Sequence, residues 1–371
     1  MSVFSNLDNI SDFDISFNIS NVDLSIINAI RRIIISEIPN VGFLFNPNDV
    51  SQFQHIKVIS NTSSLHNELI QQRFALIPIH VNIEELENWN EEDFKFVVDI
   101  KNDSSSILNI YSSDIQVMKN NEVDKALTKR FFPPDPISKD HILLTKLKPV
   151  HDAKINIEAK ATLNIAANFT SFGIVSTCAF EHVIDEELAN KTLRKFLNDN
   201  ENKDTIENLT YQFNSIDRER CYHRNKFREP NLFKFHVVSE SSIPSSYIFK
   251  KALQILKDKV IKLQDLDFEV LQNDSLFSVV IRNESHTLGN VYQSLCFNRF
   301  IRQVQEDKTK DQFNLKYIGY NVPHPLESIL LIKLKGDDIK TIKDVKLFIT
   351  QGCEYIIDYI SDLEDKWKKF G

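Results

Sequence analysis

The chain writes one strand-then-helix signature twice. Near the start, Phe17-Asn18-Ile19 precedes the helical run Val22-Asp23-Leu24-Ser25-Ile26-Ile27-Asn28-Ala29-Ile30-Arg31-Arg32. Near the end, Val279-Val280-Ile281 precedes Ser285-His286-Thr287-Leu288-Gly289-Asn290-Val291-Tyr292. A single offset lays Ile15, Phe17 and Ile19 on Phe277, Val279 and Ile281, then Asn21 on Asn283 and Asn28 on Asn290. Two copies are too few for a solenoid, which needs about three stacked units or more. Two distant copies predict a pseudo-two-fold instead: a dimer folded inside one polypeptide.

Both copies continue alike. Phe233-Lys234-Phe235-His236-Val237 alternates, and a helical pattern follows with Phe249, Ala252, Leu253, Leu256, Val260 and Leu263. The second copy has Leu330-Leu331-Ile332-Lys333-Leu334, then a longer helix carrying Val345, Phe348, Ile349, Ile356, Tyr359, Leu363 and Trp367. Period two in the strands and three-to-four in the helices mark half-buried strands and striped helices. Each half therefore reads strand, helix, insertion, strand, helix. On the first helix, Asn28, Arg32 and Ser36 form a narrow polar stripe, while Leu24, Ile26, Ile27, Ala29, Ile30, Ile33, Ile34, Ile35 and Ile38 cover most of the rest. A helix apolar almost all round is expected to be buried on more than one side, against its own sheet and against a partner helix. Pro39 closes it, and Ser285 is placed to cap the second helix.

The expected seam runs along Leu24, Ile27, Ile30 and Ile34 on one helix, and along Leu288, Gly289, Val291, Tyr292 and Leu295 on the other. Glycine inside a helix costs about 1 kcal/mol. For Gly289 the reason expected is close approach of a backbone at the seam; for Gly352 it is a tolerated cost. The competing reading is a pair of ordinary core helices in two unrelated domains.

Between Val41 and Pro230 the character changes. Strands are expected over 51–60, 94–100, 107–111, 155–165 and 172–182, with a short helix over 62–74. The run Phe132-Pro133-Pro134-Asp135-Pro136 is a turn-forming link that no central strand accepts. This reads as an inserted, mainly β domain. Its tail, 190–228, is charged and poor in apolar residues, and reads as a surface helix plus loop. The expected boundaries are 1–40 with 229–264 for the first half, 41–228 for the insertion and 265–371 for the second half.

Composition removes several function classes. A net charge of −8 suits a chain that does not itself grip phosphate, since that affinity rests on Lys and Arg. Only 7 glycines occur, with no glycine-rich nucleotide loop. Cys178, Cys221, Cys296 and Cys353 stand singly, so neither metal nor cofactor is expected. Neither a signal pattern nor a bilayer-length apolar run is present, which reads as a soluble, intracellular protein. A hydrolase using Cys296 with His286 fails on spacing: ten helical residues are about 15 Å, too far for the hydrogen bond such a pair needs. His324 is held between Pro323 and Pro325 in an extended turn.

Four words then match a family. Asn28-Ala29-Ile30-Arg31-Arg32-Ile33 with Glu37-Ile38-Pro39 resembles the N-A-L-R-R…E-x-P helix of the alpha-like subunits of cellular RNA polymerase. Asn61-Thr62-Ser63-Ser64-Leu65-His66-Asn67-Glu68-Leu69-Ile70 with Arg73-Phe74-Ala75-Leu76-Ile77-Pro78 resembles a signature of the archaeal D and eukaryotic third-largest subunits. Glu284-Ser285-His286-Thr287-Leu288-Gly289-Asn290 and Tyr320-Asn321-Val322-Pro323-His324-Pro325-Leu326 are similar to words of the smaller partner, archaeal L and the eukaryotic eleventh subunit. In cells those partners are separate chains; here they look fused near Gln264–Asp267, as in nucleocytoplasmic large DNA viruses.

The resemblance implies an α+β fold of two alpha-type dimerisation halves forming an intramolecular pseudo-dimer, with a mainly β domain inserted in the first. It implies a non-catalytic assembly platform for the two large catalytic polymerase subunits, with small zinc-bearing subunits alongside. DNA would be met only through the complex, no membrane is involved, and the location would be the host cytoplasm or the virion. Arg31 and Arg32, together with Glu68 and Arg73, are the partner-binding candidates, because an arginine fork can hold a carboxylate or a carbonyl-rich loop. Their alternatives are an internal pair, such as one to Glu37, and a solvated helix face. Ala166-Ala167-Asn168-Phe169-Thr170-Ser171 lacks the basic and proline positions many relatives carry there, which leaves that contact surface in doubt. The rival function is an interaction scaffold of the same fold in another complex.

Overall fold

Alternating apolar and polar residues decide which face of each strand is buried. The computed structural model describes residues 2–46, 55–120, 122–200, 205–266, 268–273, 276–308 and 312–370. It opens on an antiparallel hairpin, β1 (Phe4–Ser11) and β2 (Asp14–Ser20), with Ile15, Phe17 and Ile19 buried. Asn21 then turns the chain at φ 57°, a left-handed conformation that asparagine tolerates better than most residues. Helix α1 (Leu24–Ser36) follows.

Next come β3 (Pro39–Phe43), β4 (Ile56–Asn61), α2 (Asn67–Ala75), α3 (Ile83–Glu87), β5 (Phe94–Lys101), β6 (Leu108–Tyr111) and β7 (Gln116–Lys119). They are followed by β8 (Glu122–Val123), α4 (Lys125–Phe131), β9 (Leu143–Leu147), β10 (Lys154–Ala159) and β11 (Ala161–Ile165). β12 (Val175–His182), α5 (Glu186–Asp199), α6 (Ile206–Gln212), β13 (Leu232–Ser239) and α7 (Ser245–Asp265) complete the N-terminal part.

The C-terminal part repeats the opening. β14 (Glu269–Asn273) and β15 (Leu276–Arg282) pair antiparallel, Asn283 turns the chain at φ 61°, and α8 (His286–Phe297) follows. A wider π turn, Asn298–Arg302, leads into α9 (Gln303–Asp307). β16 (Leu315–Asn321), β17 (Ile329–Gly336) and α10 (Ile342–Lys368) end the fold.

Two compact units result: Met1–Ile34 with Thr177–Val237 and Ser246–Gly371, and Ile35–Ser176 with Val238–Ser245. The first holds two four-stranded sheets, ordered β1-β2-β13-β12 and β14-β15-β17-β16. Strand for strand the order is the same. Phe233, Phe235 and Val237 of β13 are buried, as are Leu330, Ile332 and Leu334 of β17. The turn asparagines match as well: Asn21 donates its backbone N–H to Asn231 O (2.8 Å) and Asn283 to Ser328 O (2.7 Å), each acceptor lying just before the sheet's third strand.

The second unit holds a five-stranded sheet, ordered β4-β10-β5-β7-β8, and the two-stranded pairs β11-β3 and β6-β9. Its core is aromatic, with Phe43, Phe74, Phe96, Phe131 and Phe172 buried.

Several boundaries differ from those expected. The strand expected over 172–182 is β12, which joins the first sheet, and Thr177–Val237 falls in the unit of that sheet rather than with Ile35–Ser176. The strand expected over 155–165 breaks at Lys160 into β10 and β11, which pair with different neighbours. Helix α2 starts at Asn67 rather than Thr62. The Asn61 side chain holds the intervening turn, accepting from Ser63 N (2.9 Å) and donating to Leu65 O (2.8 Å). Of the strand expected over 51–60, residues 51–54 lie outside those described, as does Asp267 of the expected junction. The charged stretch 190–228 shares a small core with the residues just before it: Ala189, Phe213 and Cys221, with Ile184, Leu193 and Phe196 packed against them.

Candidate assembly interface

Helix α1 is buried along one side. Ile26, Ile27, Ala29, Ile30, Ile33 and Ile34 are shielded, an arc of roughly 160° at 100° per residue. Leu24 (40%) and Ile35 (42%) are exposed on the opposite side. Leu24, expected along the seam, lies outside this buried face. Ile27, Ile30 and Ile34 remain within the core, as do Leu288, Val291, Tyr292 and Leu295 of α8.

Gly289 and Gly352 both mark close approaches within the C-terminal part. A Cβ on Gly289 would stand 2.6 Å from Leu330 Cδ1 and 2.7 Å from Tyr320 Cδ2. The close approach is therefore to side chains of its own sheet, not to α1. A Cβ on Gly352 would stand 2.8 Å from Tyr292 Cζ and 3.0 Å from Cys296 Sγ, so the missing side chain leaves room for these two residues of α8. Tyr292 donates its hydroxyl to Ile349 O at 3.2 Å, which ties it to α10 as well.

The N-terminal and C-terminal repeats meet through polar clamps as well as apolar packing. Asp23 stands before α1 and accepts Ser25 N–H (2.8 Å), as an N-cap does. The same carboxylate accepts from Ser294 Oγ (2.9 Å) and Asn298 Nδ2 (2.8 Å) across the junction. Farther along α1, Arg32 Nε donates to Thr287 Oγ1 at 2.7 Å. Lys259 of α7 pairs with Glu284 at 3.1 Å, their side chains 19% and 16% exposed; Lys257 pairs with Glu364 of α10 at 3.0 Å. Arg302 holds Glu229 through two bonds, 3.0 and 2.8 Å, and these keep the Glu229 carboxyl below its ordinary value.

A largely shielded ion pair at such a junction gives its energy to pairing specificity more than to net stability. Glu284→Leu is expected to cost about 2 kcal/mol, less than a fully buried pair would because part of it is solvated. Lys259→Met with Glu284→Leu should recover more than half of that. A double-mutant cycle by urea unfolding checks it, and a coupling below about 0.5 kcal/mol would reject the pair as a clamp.

The partner-binding candidates stand as follows. The Arg31 guanidinium is bound to Asn28 Oδ1 (3.1 and 2.9 Å). Arg73 donates to Leu144 O (2.8 Å) and Leu143 O (2.5 Å), so its fork holds the β9 backbone. Glu68 is exposed in the first turn of α2. Arg31 and Arg32 belong to one unit, Glu68 and Arg73 to the other.

Cys296 is fully buried, and burial pushes its thiol well up, the reverse of what a nucleophile needs. No cluster of three or more His, Cys, Asp or Glu arranged for a metal is found among the described residues. No described helix is long and apolar enough to cross a membrane.

The sequence reading missed Asp23, Ser294, Asn298, Trp367 and the Lys259–Glu284 pair as junction residues. Only Asp23 carried a local signal, an acidic residue just ahead of an apolar helical run. The others depend on which helix lies opposite.

The N-terminal two thirds of the chain has a counterpart among known families. Residues 16–260 match the RNA polymerase Rpb3/Rpb11 dimerisation domain, and the chain belongs to that family. DNA-directed RNA polymerases I and III subunit RPAC1 of Saccharomyces cerevisiae is 24% identical over 295 residues, which cover 68% of this chain and 84% of the relative. DNA-directed RNA polymerase II subunit RPB3 of Schizosaccharomyces pombe is 24% identical over 278 residues, covering 70% and 86%. Human RPAC1 is 30% identical over 79 residues, covering 21% and 20%. The family match ends at residue 260, ahead of the second hairpin.

Proposed function

We propose that this chain is a non-catalytic assembly-platform subunit of a multisubunit DNA-directed RNA polymerase. Its N-terminal D-like half and C-terminal L-like half pair inside one polypeptide, and the pair docks the two large catalytic subunits. The observation that carries this reading is the repeated turn: Asn21 and Asn283, both left-handed, bond to matching positions in two sheets of identical strand order. Most of one half, from within β2 to within α7, falls inside the family match, and the other has the same strand order.

Fusion makes pairing intramolecular, at an effective concentration on the order of mM for a short linker. Small zinc-bearing subunits would join the same platform, and DNA would be met only through the assembly. The fused form favours a viral source acting in the host cytoplasm or packaged in the virion. The exposed side of α1, with Leu24 beside Arg31, supports a role for that helix in holding a large subunit.

Affinity purification of the tagged chain from its native source, with mass spectrometry of what stays bound in moderate salt, tests the function. Two large polymerase subunits in equal ratio with the chain are expected. Recovery of the chain alone, or with unrelated proteins, would leave the family membership standing and remove the role. Arg31→Ala should lower large-subunit recovery while the chain stays folded, with Arg32 left in place because it holds Thr287; undiminished recovery would take Arg31 out of the interface.

A further inference from the structure

The second unit contains a hollow of about 600 Å³ that nothing above uses. Ile100, Val123, Phe132 and Pro134 give it apolar walls, and Lys125, Lys129 and His141 reach it from α4 and the loop before β9. A concave, mostly apolar space of this size with a few convergent polar groups is the form that binding sites take.

Three features specify the occupant. Lys125 and Lys129 are four residues apart on α4, so two like charges share one helix face, an arrangement that destabilises an isolated helix. Among the described residues, neither ammonium takes part in an ion pair or hydrogen bond, whereas the next residue along, Arg130, is paired with Glu85. Second, His141 Nδ1 is shielded from solvent and has no hydrogen-bond partner, an unpaired group that normally costs stability. Third, Asp114, the carboxylate in the wall, is already committed, accepting Tyr111 N–H at 2.8 Å. In a chain of net charge −8, this mouth carries a positive surplus.

We infer that the hollow is a docking site for a polypeptide segment presenting a carboxylate beside an apolar side chain, and that the segment belongs to another polymerase subunit; the choice of partner rests on the function proposed above. The apolar side chain enters between Phe132 and Val123. The carboxylate meets the two ammonium groups, which relieves their repulsion, and a polar group of the segment meets His141, which can donate or accept according to tautomer. Lys125 and Lys129 are exposed at the mouth, so the occupant has to continue outside the hollow, as a segment of a larger chain does.

The test uses the native complex purified through the tagged full chain. A zero-length carbodiimide coupling joins a carboxylate to an amine only where the two touch. Crosslinks from Lys125 or Lys129 to Asp or Glu of another polymerase subunit are expected. In parallel, Lys125→Glu with Lys129→Glu should lower recovery of that subunit at least tenfold with the melting temperature unchanged, and Val123→Trp, which fills the hollow without altering charge, should do the same. Crosslinks elsewhere between this chain and its partners, but none at these lysines, would overturn the site while leaving the assembly role intact. A small carboxylate carried by the purified chain alone, and lost in the double variant, would overturn the polypeptide occupant. Recovery of no polymerase subunit by the unaltered chain would overturn both readings.

Discussion

Ile30→Asp should leave the first unit without cooperative folding at 25 °C, whereas Leu24→Asp, less than two turns away on the same helix, should change stability by less than about 1 kcal/mol. The difference is a matter of face. Ile30 is 1% exposed, and removing its side chain from a packed core costs about 2–5 kcal/mol before the replacement is considered. The new carboxylate would be cut off from water with nothing placed to pair it, adding several kcal/mol more. Together these approach the whole stability of a typical domain, about 5–15 kcal/mol. Leu24 projects to the other side of the helix. Leu288→Asp should fail as Ile30→Asp does, since Leu288 is equally buried on α8. Urea unfolding followed by circular dichroism measures both; equal midpoints for Ile30→Asp and Leu24→Asp would reject the one-faced burial of α1.

The same contrast shows what sequence alone conveys. Central strands were legible because both their neighbours and their buried face impose period two: β13, β15 and β17 alternate in burial, and β2 does so apart from the buried Ser16. Their hairpin partners were not. β1 buries only Phe4 of its eight residues, and β14 likewise shows no alternation, because an edge strand whose faces are mostly wet leaves no pattern to read. Helix α1 was legible as a helix but misjudged in orientation, since Leu24 and Ile35 are apolar yet exposed; composition marks an apolar circumference, and only packing reveals which part of it is covered. At the junction, Arg32 was singled out through its family word, but its bond to Thr287 joins residues far apart in sequence, and no local rule predicts such a partner. Gly289 and Gly352 were both recognisable as costly, while the neighbours that make glycine necessary came from the tertiary arrangement.

Trp367→Ala should be the most damaging single truncation outside the sheets. Helix α10 spans 27 residues, about 40 Å at 1.5 Å per residue, and its last turns reach the N-terminal sheet. There the Trp367 ring packs at 4.8 Å from Phe17, 5.1 Å from Phe4 and 4.4 Å from Phe249. Its indole N–H donates to Ser246 O at 3.2 Å. One side chain from the end of the C-terminal repeat thus fills the aromatic core of the N-terminal one. Removing a buried tryptophan costs about 3–5 kcal/mol, and a unit of this size should lose on the order of 10 °C in melting temperature. Trp367→Phe keeps most of the packing and gives up the hydrogen bond, a loss of about 1 kcal/mol. The chain has 2 tryptophans, and the other, Trp89, stacks on Phe94 in the second unit. Emission from Trp367→Ala therefore reports the second unit alone, while far-ultraviolet dichroism reports both. An early dichroism loss with Trp89 emission still native would show that Trp367 secures the pairing of the repeats and not the second unit. A melting temperature within 2 °C of the parent chain would remove Trp367 from that role and leave the junction to Asp23, Arg32, the Arg302–Glu229 pair and the two lysine–glutamate pairs.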